Sequence, residues 1–285
     1  MTSGRVLVTG ASGFTGKFAL ASLAEAGFEP LAAPDACDLT DRAAVDAMVA
    51  ELRPSHVLHL AAIAFVGHDD PGAFYRVNTV GTVNLLEALA AYGGVRGTVV
   101  LASSANVYGN ARVSPITEAT PPAPMNHYAA SKLAMEALAA AYRDRMSITL
   151  ARPFNYTGAG QATSFLVPKI VDHFRRGERS IRLGNLDVFR DFSDVRTVAA
   201  AYAALLALPD PPPLVNLCSG IGHSIADILA LCEERTGHAL EVVVDPELVR
   251  GNEVMRLIGS PALLDAVAPG LPRPSLADTI AWMLG

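Results

Sequence analysis

Cysteine is scarce: Cys37, Cys218 and Cys232 are the only three in 285 residues, with no CxxC pair and no clustering with histidine. This excludes a disulfide framework and a zinc site of ordinary spacing, leaving buried or free thiols in a reducing compartment. Charge is sparse too, at 18% of residues with a net of −6. A nucleic-acid binder needs a basic face, so no nucleic-acid partner is expected. Anionic small molecules stay open, provided basic residues are grouped locally. Long apolar runs are missing. The longest, Val198 to Leu208, is about half a membrane span and reads as an Ala-rich core helix. Near the amino terminus, Val6-Leu7-Val8 is too short for a signal-peptide core. The expectation is a cytoplasmic protein with no membrane partner.

Apolar residues are plentiful at 51%, enough for one large domain or a domain carrying a smaller lobe. Four short runs, Arg5–Thr9, His56–Ala61, Thr98–Ser103 and Ile148–Ala151, are apolar on both faces. Strands covered by helices on both sides read this way. Helical patterns lie between them. Thr40 is placed to cap a helix through Leu52, with Val45, Met48, Val49 and Leu52 on one face and Pro54 beyond its end. Phe74–Tyr92 and Tyr128–Arg145 carry further apolar stripes. Alternating strands and helices predict an α/β fold, a Rossmann doubly wound parallel sheet with right-handed crossovers. After about residue 155 the pattern loosens. The expected division is a dinucleotide-binding domain over 1–155 and a smaller α/β substrate-binding lobe over 156–285, with a segment near 190–220 returning to the main sheet.

Three signals carry chemistry. The first is Gly10-Ala11-Ser12-Gly13-Phe14-Thr15-Gly16, directly after the first strand. Glycines let the backbone turn tightly against a pyrophosphate, and the helix that follows offers its free N–H groups to that anion. The spacing is one residue wider than GxGxxG, and a plain strand-to-helix turn would look similar. Nineteen residues past Gly16 stands Asp35, in reach of where an acid holds the adenosine ribose. Asp38 and Leu39 follow within reach of adenine, though Asp35 reads equally well as an ordinary turn residue; no arginine follows the second strand to meet a 2′-phosphate, a slight lean toward NAD. NADH and NADPH both stay open. The second signal is Tyr128-Ala-Ala-Ser-Lys132. Residues four apart share a helix face, so Lys132 can set its ammonium beside the phenol. A free tyrosine titrates near pH ~10, and a neighbouring cation together with an oxidised nicotinamide is expected to lower it. The third is Ser103-Ser104 at a strand exit, 24 residues before Tyr128 counted from Ser104. A hydroxyl there can donate to the same carbonyl oxygen that the tyrosine protonates.

Together TGASGFTG, SSANVYG and YAASK resemble the extended short-chain dehydrogenase/reductase family, the NAD-dependent epimerase/dehydratase type, along nearly the whole chain. His59-Leu-Ala-Ala62, the stretch Asn78 to Ala88, and Arg152-Pro-Phe-Asn155 fit the same family. Within it, Arg152 to Gln161, Gly184 to Arg196 and Asn216 to Gly222 are similar to segments of GDP-4-keto-6-deoxy-D-mannose reductases. The resemblance implies a catalytic trio of Ser104, Tyr128 and Lys132. It implies NAD(P)H held by Gly10, Ser12, Gly13, Phe14, Thr15 and Gly16 at the turn, and by Asp35, Asp38 and Leu39 at the adenosine end. Leu60, Ala61, Ala62, Asn78, Ser103, Tyr128, Lys132, Pro153 and Phe154 would complete that site. A nucleotide-diphosphate sugar would meet Ser104, Asn106, Asn155, Val167, Lys169, Arg190, Arg250 and Glu253, the arginines on the diphosphate and Glu253 on the ribose. Arginine forks fit phosphate oxygens bidentately. Two departures stand out: Gly251-Asn252 replaces a proline and a small residue, and the chain is short between its second and third strands.

The implied reaction is hydride transfer from NAD(P)H to C4 of a 4-keto-6-deoxyhexose, with a 4-epimerase and a non-catalytic NAD(P)-binding sensor as alternatives. Dehydratases of the family place an extra acid and base just after the catalytic hydroxyl; here those positions are Ala105 and Asn106. The resemblance also implies a homodimer, built by pairing the Phe74–Tyr92 and Tyr128–Arg145 helices through small faces at Ala88, Ala91, Ala134, Ala137 and Ala141.

Overall fold

The first strand, β1 (Arg5–Thr9), is buried at four of its five positions and runs straight into α1 (Phe14–Glu25). A computed structural model of the chain describes residues 4–64, 69–248 and 254–285. After β2 (Glu29–Ala32) comes α2 (Arg42–Leu52). Its cap is Asp41, not Thr40. The Asp41 carboxylate accepts from the backbone of Ala43 at 2.9 Å and Ala44 at 3.3 Å, whereas the Thr40 hydroxyl turns back to donate to Asp38. β3 (His56–His59) is followed by α3 (Pro71–Phe74), a π-helical stretch over Tyr75–Val80, and α4 (Gly81–Tyr92). One helix was expected there. The π turn buries Asn78, whose amide grips the backbone of Ile63 from both sides, accepting at 2.8 Å and donating at 3.1 Å. Such turns occur most often at functional sites.

β4 (Val99–Ala102) leads to α5 (His127–Ala139), which Asn126 caps by accepting from Ala129 at 2.8 Å. This helix ends earlier than the pattern suggested, tightening into a 3-10 turn over Ala140–Tyr142. β5 (Ile148–Pro153) is buried at every position. β6 (Asn155–Thr157), α6 (Leu166–Arg175), β7 (Ser180–Leu183) and β8 (Phe189–Asp194) follow. Then come α7 (Val195–Ala207), β9 (Leu214–Leu217), β10 (Gly222–Ser224), α8 (Ile225–Thr236), β11 (Glu241–Val244), β12 (Arg256–Leu257), α9 (Ala262–Val267) and α10 (Leu276–Leu284).

Six parallel strands form the main sheet in the order β2-β1-β3-β4-β5-β9. On one face α1 and α7 bury Leu23, Val198, Tyr202 and Leu205 against Val8, Leu58 and Val100. On the other, α2, α4 and α5 bury Met48, Leu85, Leu89 and Met135 against Leu7, Val57 and Leu101. This is the Rossmann-like doubly wound sheet. The chain crosses from β1 to β2 and then back to β3 on the far side of β1. Ligands of such sheets bind outside the carboxyl ends of the strands at that reversal.

The second apolar cluster joins Ile170, Phe174, Ile225, Ile228 and Ile280 from α6, α8 and α10, beside a small sheet of β10-β8-β12 with β6 on β8. At its seam with the main sheet, the buried Asp191 carboxylate accepts from the backbone of Ser219 at 2.8 Å, Gly220 at 2.9 Å and Gly259 at 3.3 Å. Burial pushes that carboxyl up while these bonds oppose the shift. Among the described residues no helix is long and apolar enough to cross a membrane, and no His, Cys, Asp and Glu group could hold a metal ion. Cys218 and Cys232 are buried thiols and Cys37 is half-buried.

Candidate active site

The glycine turn lies at the reversal of strand order. Gly10 adopts φ +69°, and a Cβ there would sit 2.9 Å from the Ala61 nitrogen. At Gly16 a Cβ would meet the Gly10 and Ala11 carbonyl oxygens at 2.3 and 2.5 Å. Both obstacles are backbone, which cannot step aside, so the turn admits no side chain at either position. No side chain caps α1, which leaves its first N–H groups facing the crevice.

Across the crevice, β4 and α5 bring three groups together. The Ser104 hydroxyl hydrogen-bonds that of Tyr128 and favours the phenolate, but burial outweighs it and pushes the phenol up to about 12. The lowering expected from Lys132 is not what the protein by itself shows. Lys132 instead donates to the Ala102 carbonyl at 2.8 Å. Burial pulls its ammonium down to about 8, against the nearby carboxylate of Glu136. His59, a neighbour at the end of β3, is held neutral: burial lowers it to about 3, and its two nitrogens share bonds of 2.7 Å with Thr9 and 2.8 Å with Thr82.

Glycine turn and trio line one cavity of about 330 Å³. Its walls include Gly10, Gly13, Phe14, Thr15, Gly16, Leu60, Ala62, Ser103, Ser104, Asn106, Tyr128, Lys132, Pro153, Phe154 and Asn155. A second cavity of about 280 Å³ adjoins it, sharing Asn155, Tyr156, Gln161 and Phe165, and reaches Val167, Lys169 and Arg190 in the smaller lobe.

The chain matches the NAD dependent epimerase/dehydratase family over residues 6–218. It belongs to that family. It is 37% identical over 263 residues to a GDP-6-deoxy-D-talose 4-dehydrogenase of Aggregatibacter actinomycetemcomitans, covering 91% of this chain and 90% of that protein. To a GDP-6-deoxy-D-mannose reductase of Pseudomonas aeruginosa it is 35% identical, over 98% of this chain and 96% of the relative. Among solved structures, RMD from Pseudomonas aeruginosa complexed with NADPH superposes with a TM-score of 0.89 at 35% identity, covering 99% and 98% of the two chains. For an epimerase/dehydratase family member the cofactor is NAD(P), and the cradle fits it: bare glycines, open helix N–H groups and the Tyr128–Lys132 pair face one chamber.

Other residues singled out in the sequence fall elsewhere. Ala61 does not line the chamber; it is the wall on which Gly10 rests. Asn78 is fully buried and spends its amide on Ile63 and Ser131. Ser12, Asp35 and Asp38 lie exposed outside both cavities, with Asp38 accepting from the Thr40 backbone and hydroxyl, while Leu39 packs into the α2–α4 core against Gly81. Lys169 donates to the Arg182 carbonyl at 2.7 Å, and Arg190 to the Phe189 carbonyl at 3.1 Å. Arg250 and Glu253 lie outside the described residues. Among the residues that sequence reasoning missed are Tyr156, Gln161, Phe165 and Tyr202. Tyr156 stacks on Phe14 with rings 9° apart and shares a 2.8 Å bond with Thr15, tying β6 to the glycine turn. An aromatic directly after Asn155 was the available signal.

Proposed function

We propose that the protein is a nicotinamide-dependent reductase acting at C4 of a nucleotide-activated 4-keto-6-deoxyhexose, GDP-4-keto-6-deoxy-D-mannose being favoured. The observation that carries this reading is the composition of the chamber. It holds the whole Ser104–Tyr128–Lys132 trio, and among the described residues no carboxylate or imidazole lines it or the adjoining cavity. The two relatives support it, one named a GDP-6-deoxy-D-talose 4-dehydrogenase and the other a GDP-6-deoxy-D-mannose reductase.

Gly10, Gly13, Phe14, Thr15 and Gly16 hold the diphosphate of NAD(P)H against α1, with Leu60, Ala62, Pro153 and Phe154 around the rest. Bound there, the cofactor supplies the hydride. Tyr128 gives its proton to the C4 oxygen, Ser104 donates to the same oxygen, and Lys132 stabilises the phenolate left behind. A phenol near 12 keeps its proton at neutral pH, which suits donation. Asn106 and Asn155 orient the sugar, and the nucleotide extends past Val167 toward Lys169 and Arg190. Incubation with GDP-4-keto-6-deoxy-D-mannose should oxidise reduced nicotinamide one-for-one with the appearance of a GDP-6-deoxyhexose. No loss of absorbance with any 4-keto sugar nucleotide would sink the proposal. Interconversion of C4 epimers without net loss of absorbance would instead favour the 4-epimerase reading, which uses the same trio.

We also infer a homodimer through the α4 and α5 side. Val80 and Leu138 stand 49% and 46% exposed there, and Ala91, Ala137 and Ala141 are exposed beside them. Ala88 is not available, being buried in the protein's own core. Light scattering at micromolar concentration should give twice the chain mass; a monomer mass would count against the pairing.

A further inference from the structure

β4 leaves the sheet as Ala102-Ser103-Ser104, and each residue holds one residue of α5. Ser104 bonds Tyr128, the Ala102 carbonyl accepts from Lys132, and the Ser103 hydroxyl donates to Glu136. Tyr128, Lys132 and Glu136 are four apart and so share one face of the helix. The first two work in the chamber. Glu136 lines neither cavity, is only 6% exposed, and yet carries a charge. Arg152 of β5, also buried, clamps it in a fork, with Nε donating to Oε1 at 2.8 Å and an end nitrogen to Oε2 at 2.5 Å. The guanidinium lies 4.7 Å over the Tyr108 ring, and the Tyr108 hydroxyl is bonded to Asn216 at 2.7 Å. Buried ion pairs frequently stabilise no better than apolar residues of the same volume, so stability alone is a weak account of this one.

We propose that Glu136, clamped by Ser103 and Arg152 one turn along the helix from Lys132, is a positioning residue that keeps the Lys132 ammonium charged beside the reacting phenol. The inference rests on reading Tyr128 and Lys132 as the reacting pair. Lys132 is faced by Glu136 from its own helix, by His59 from β3, and by the Ala102 carbonyl at the end of β4; Tyr128, Ser103 and Ser104 line the same chamber, and Arg152 of β5 stands behind Glu136. His59 is neutral above about 3 and Tyr128 keeps its proton to about 12, so of these three Lys132, near 8, is the group that titrates between. Burial favours its neutral form and the Glu136 carboxylate opposes that. Without the carboxylate, burial acts alone and Lys132 loses its proton at lower pH. The phenolate formed as Tyr128 gives up its proton then lacks its cation.

The chain has three lysines, Lys17, Lys132 and Lys169, so a carbon-13 lysine titration by NMR resolves each, with Lys132→Arg assigning the middle one. No substrate is needed, so failure of the reductase reading would not disturb the measurement. Lys132 in the wild-type protein should titrate near 8. In Glu136→Gln its midpoint should fall by roughly one pH unit, with the alkaline limb of kcat falling in step. Glu136→Asp keeps the charge and should restore the midpoint. Ser103→Ala, which removes a hydrogen bond and no charge, should leave it in place. If Glu136→Gln cannot fold around an unpaired Arg152, the Glu136→Gln/Arg152→Gln double variant, which also removes the opposing cation, should still lower the midpoint, though by less than the single variant. A Lys132 midpoint unmoved in a folded Glu136→Gln protein, or moved as far by Ser103→Ala, would overturn the proposal and leave Glu136 a purely structural residue.

Discussion

Tyr128→Phe is expected to lose ~10² to 10⁴-fold in kcat, the usual worth of a positioned general acid. That corresponds to about 3 to 5 kcal/mol of transition-state stabilisation. The substitution removes one oxygen and leaves everything around it in place. The ring stays packed against Phe74, whose centroid lies 6.0 Å away, and the helix keeps its Asn126 cap. Lys132 remains anchored on the Ala102 carbonyl, and Ser104 remains oriented by the Asn106 backbone N–H at 3.2 Å. The glycine turn is untouched, so cofactor affinity should change little and the thermal midpoint by only a degree or two. The measurement is therefore a split: turnover falls while a fluorescence titration of reduced nicotinamide stays near the wild-type value. A variant that kept more than about a tenth of the wild-type rate would require another proton donor. Tyr156 would be the first to examine, since it borders the same chamber and, among the described residues, its hydroxyl bonds only Thr15.

What could be read before the structure was local. A four-residue spacing dictates that Tyr128 and Lys132 share a helix face, and both lie on α5. Runs apolar on both faces mark strands covered twice, and β1, β3, β4 and β5 stand adjacent in the parallel sheet. Glycines at a strand exit announce a turn without side chains, and the backbone contacts at Gly10 and Gly16 give the reason. Where tertiary packing decides, the sequence was less informative. Asn78 looked like a cofactor contact because its neighbours fit a familiar stretch; the π turn that spends its amide on Ile63 leaves no local trace. Asp38 was assigned to adenine; the sequence did not show that its carboxylate also closes a loop on Thr40. Without cofactor, burial is the largest influence on Tyr128 and pushes it upward, and that burial is set by residues distant in sequence. The Glu136–Arg152 pair spans two elements and no motif names it. Asp191 sat inside a quoted segment, yet its donors come from Ser219, Gly220 and Gly259, more than two dozen residues away.

Incubating the protein with GDP-mannose and oxidised nicotinamide should yield no 4-keto-6-deoxy product. A dehydratase must take a proton from C5 and give one to the departing C6 hydroxyl, and each such group typically supplies ~10² to 10⁴-fold in rate. The two positions after Ser104 are where the family resemblance puts them. Ala105 cannot carry a proton and does not even face the chamber, being 1% exposed in a cluster with Val107, Tyr108 and Phe154. Asn106 does line the chamber, but an amide neither gains nor loses a proton near neutrality. No other wall residue replaces them. Among the described residues, the ionisable groups of the two cavities are Tyr128, Lys132, Tyr156, Tyr202, Lys169 and Arg190. Tyr156 and Tyr202 are pushed upward by burial, which makes them poor bases. Lys132 is assigned to the phenolate that Tyr128 leaves, anchored by the Ala102 carbonyl, and Lys169 donates to the Arg182 carbonyl. With no group at these positions to take the C5 proton, elimination should fall below detection. The same chamber needs only one proton donor to complete a reduction at C4, and Tyr128 is that donor. Formation of the 4-keto-6-deoxy sugar from GDP-mannose would therefore overturn the reductase reading, because it would demand a base the chamber does not contain.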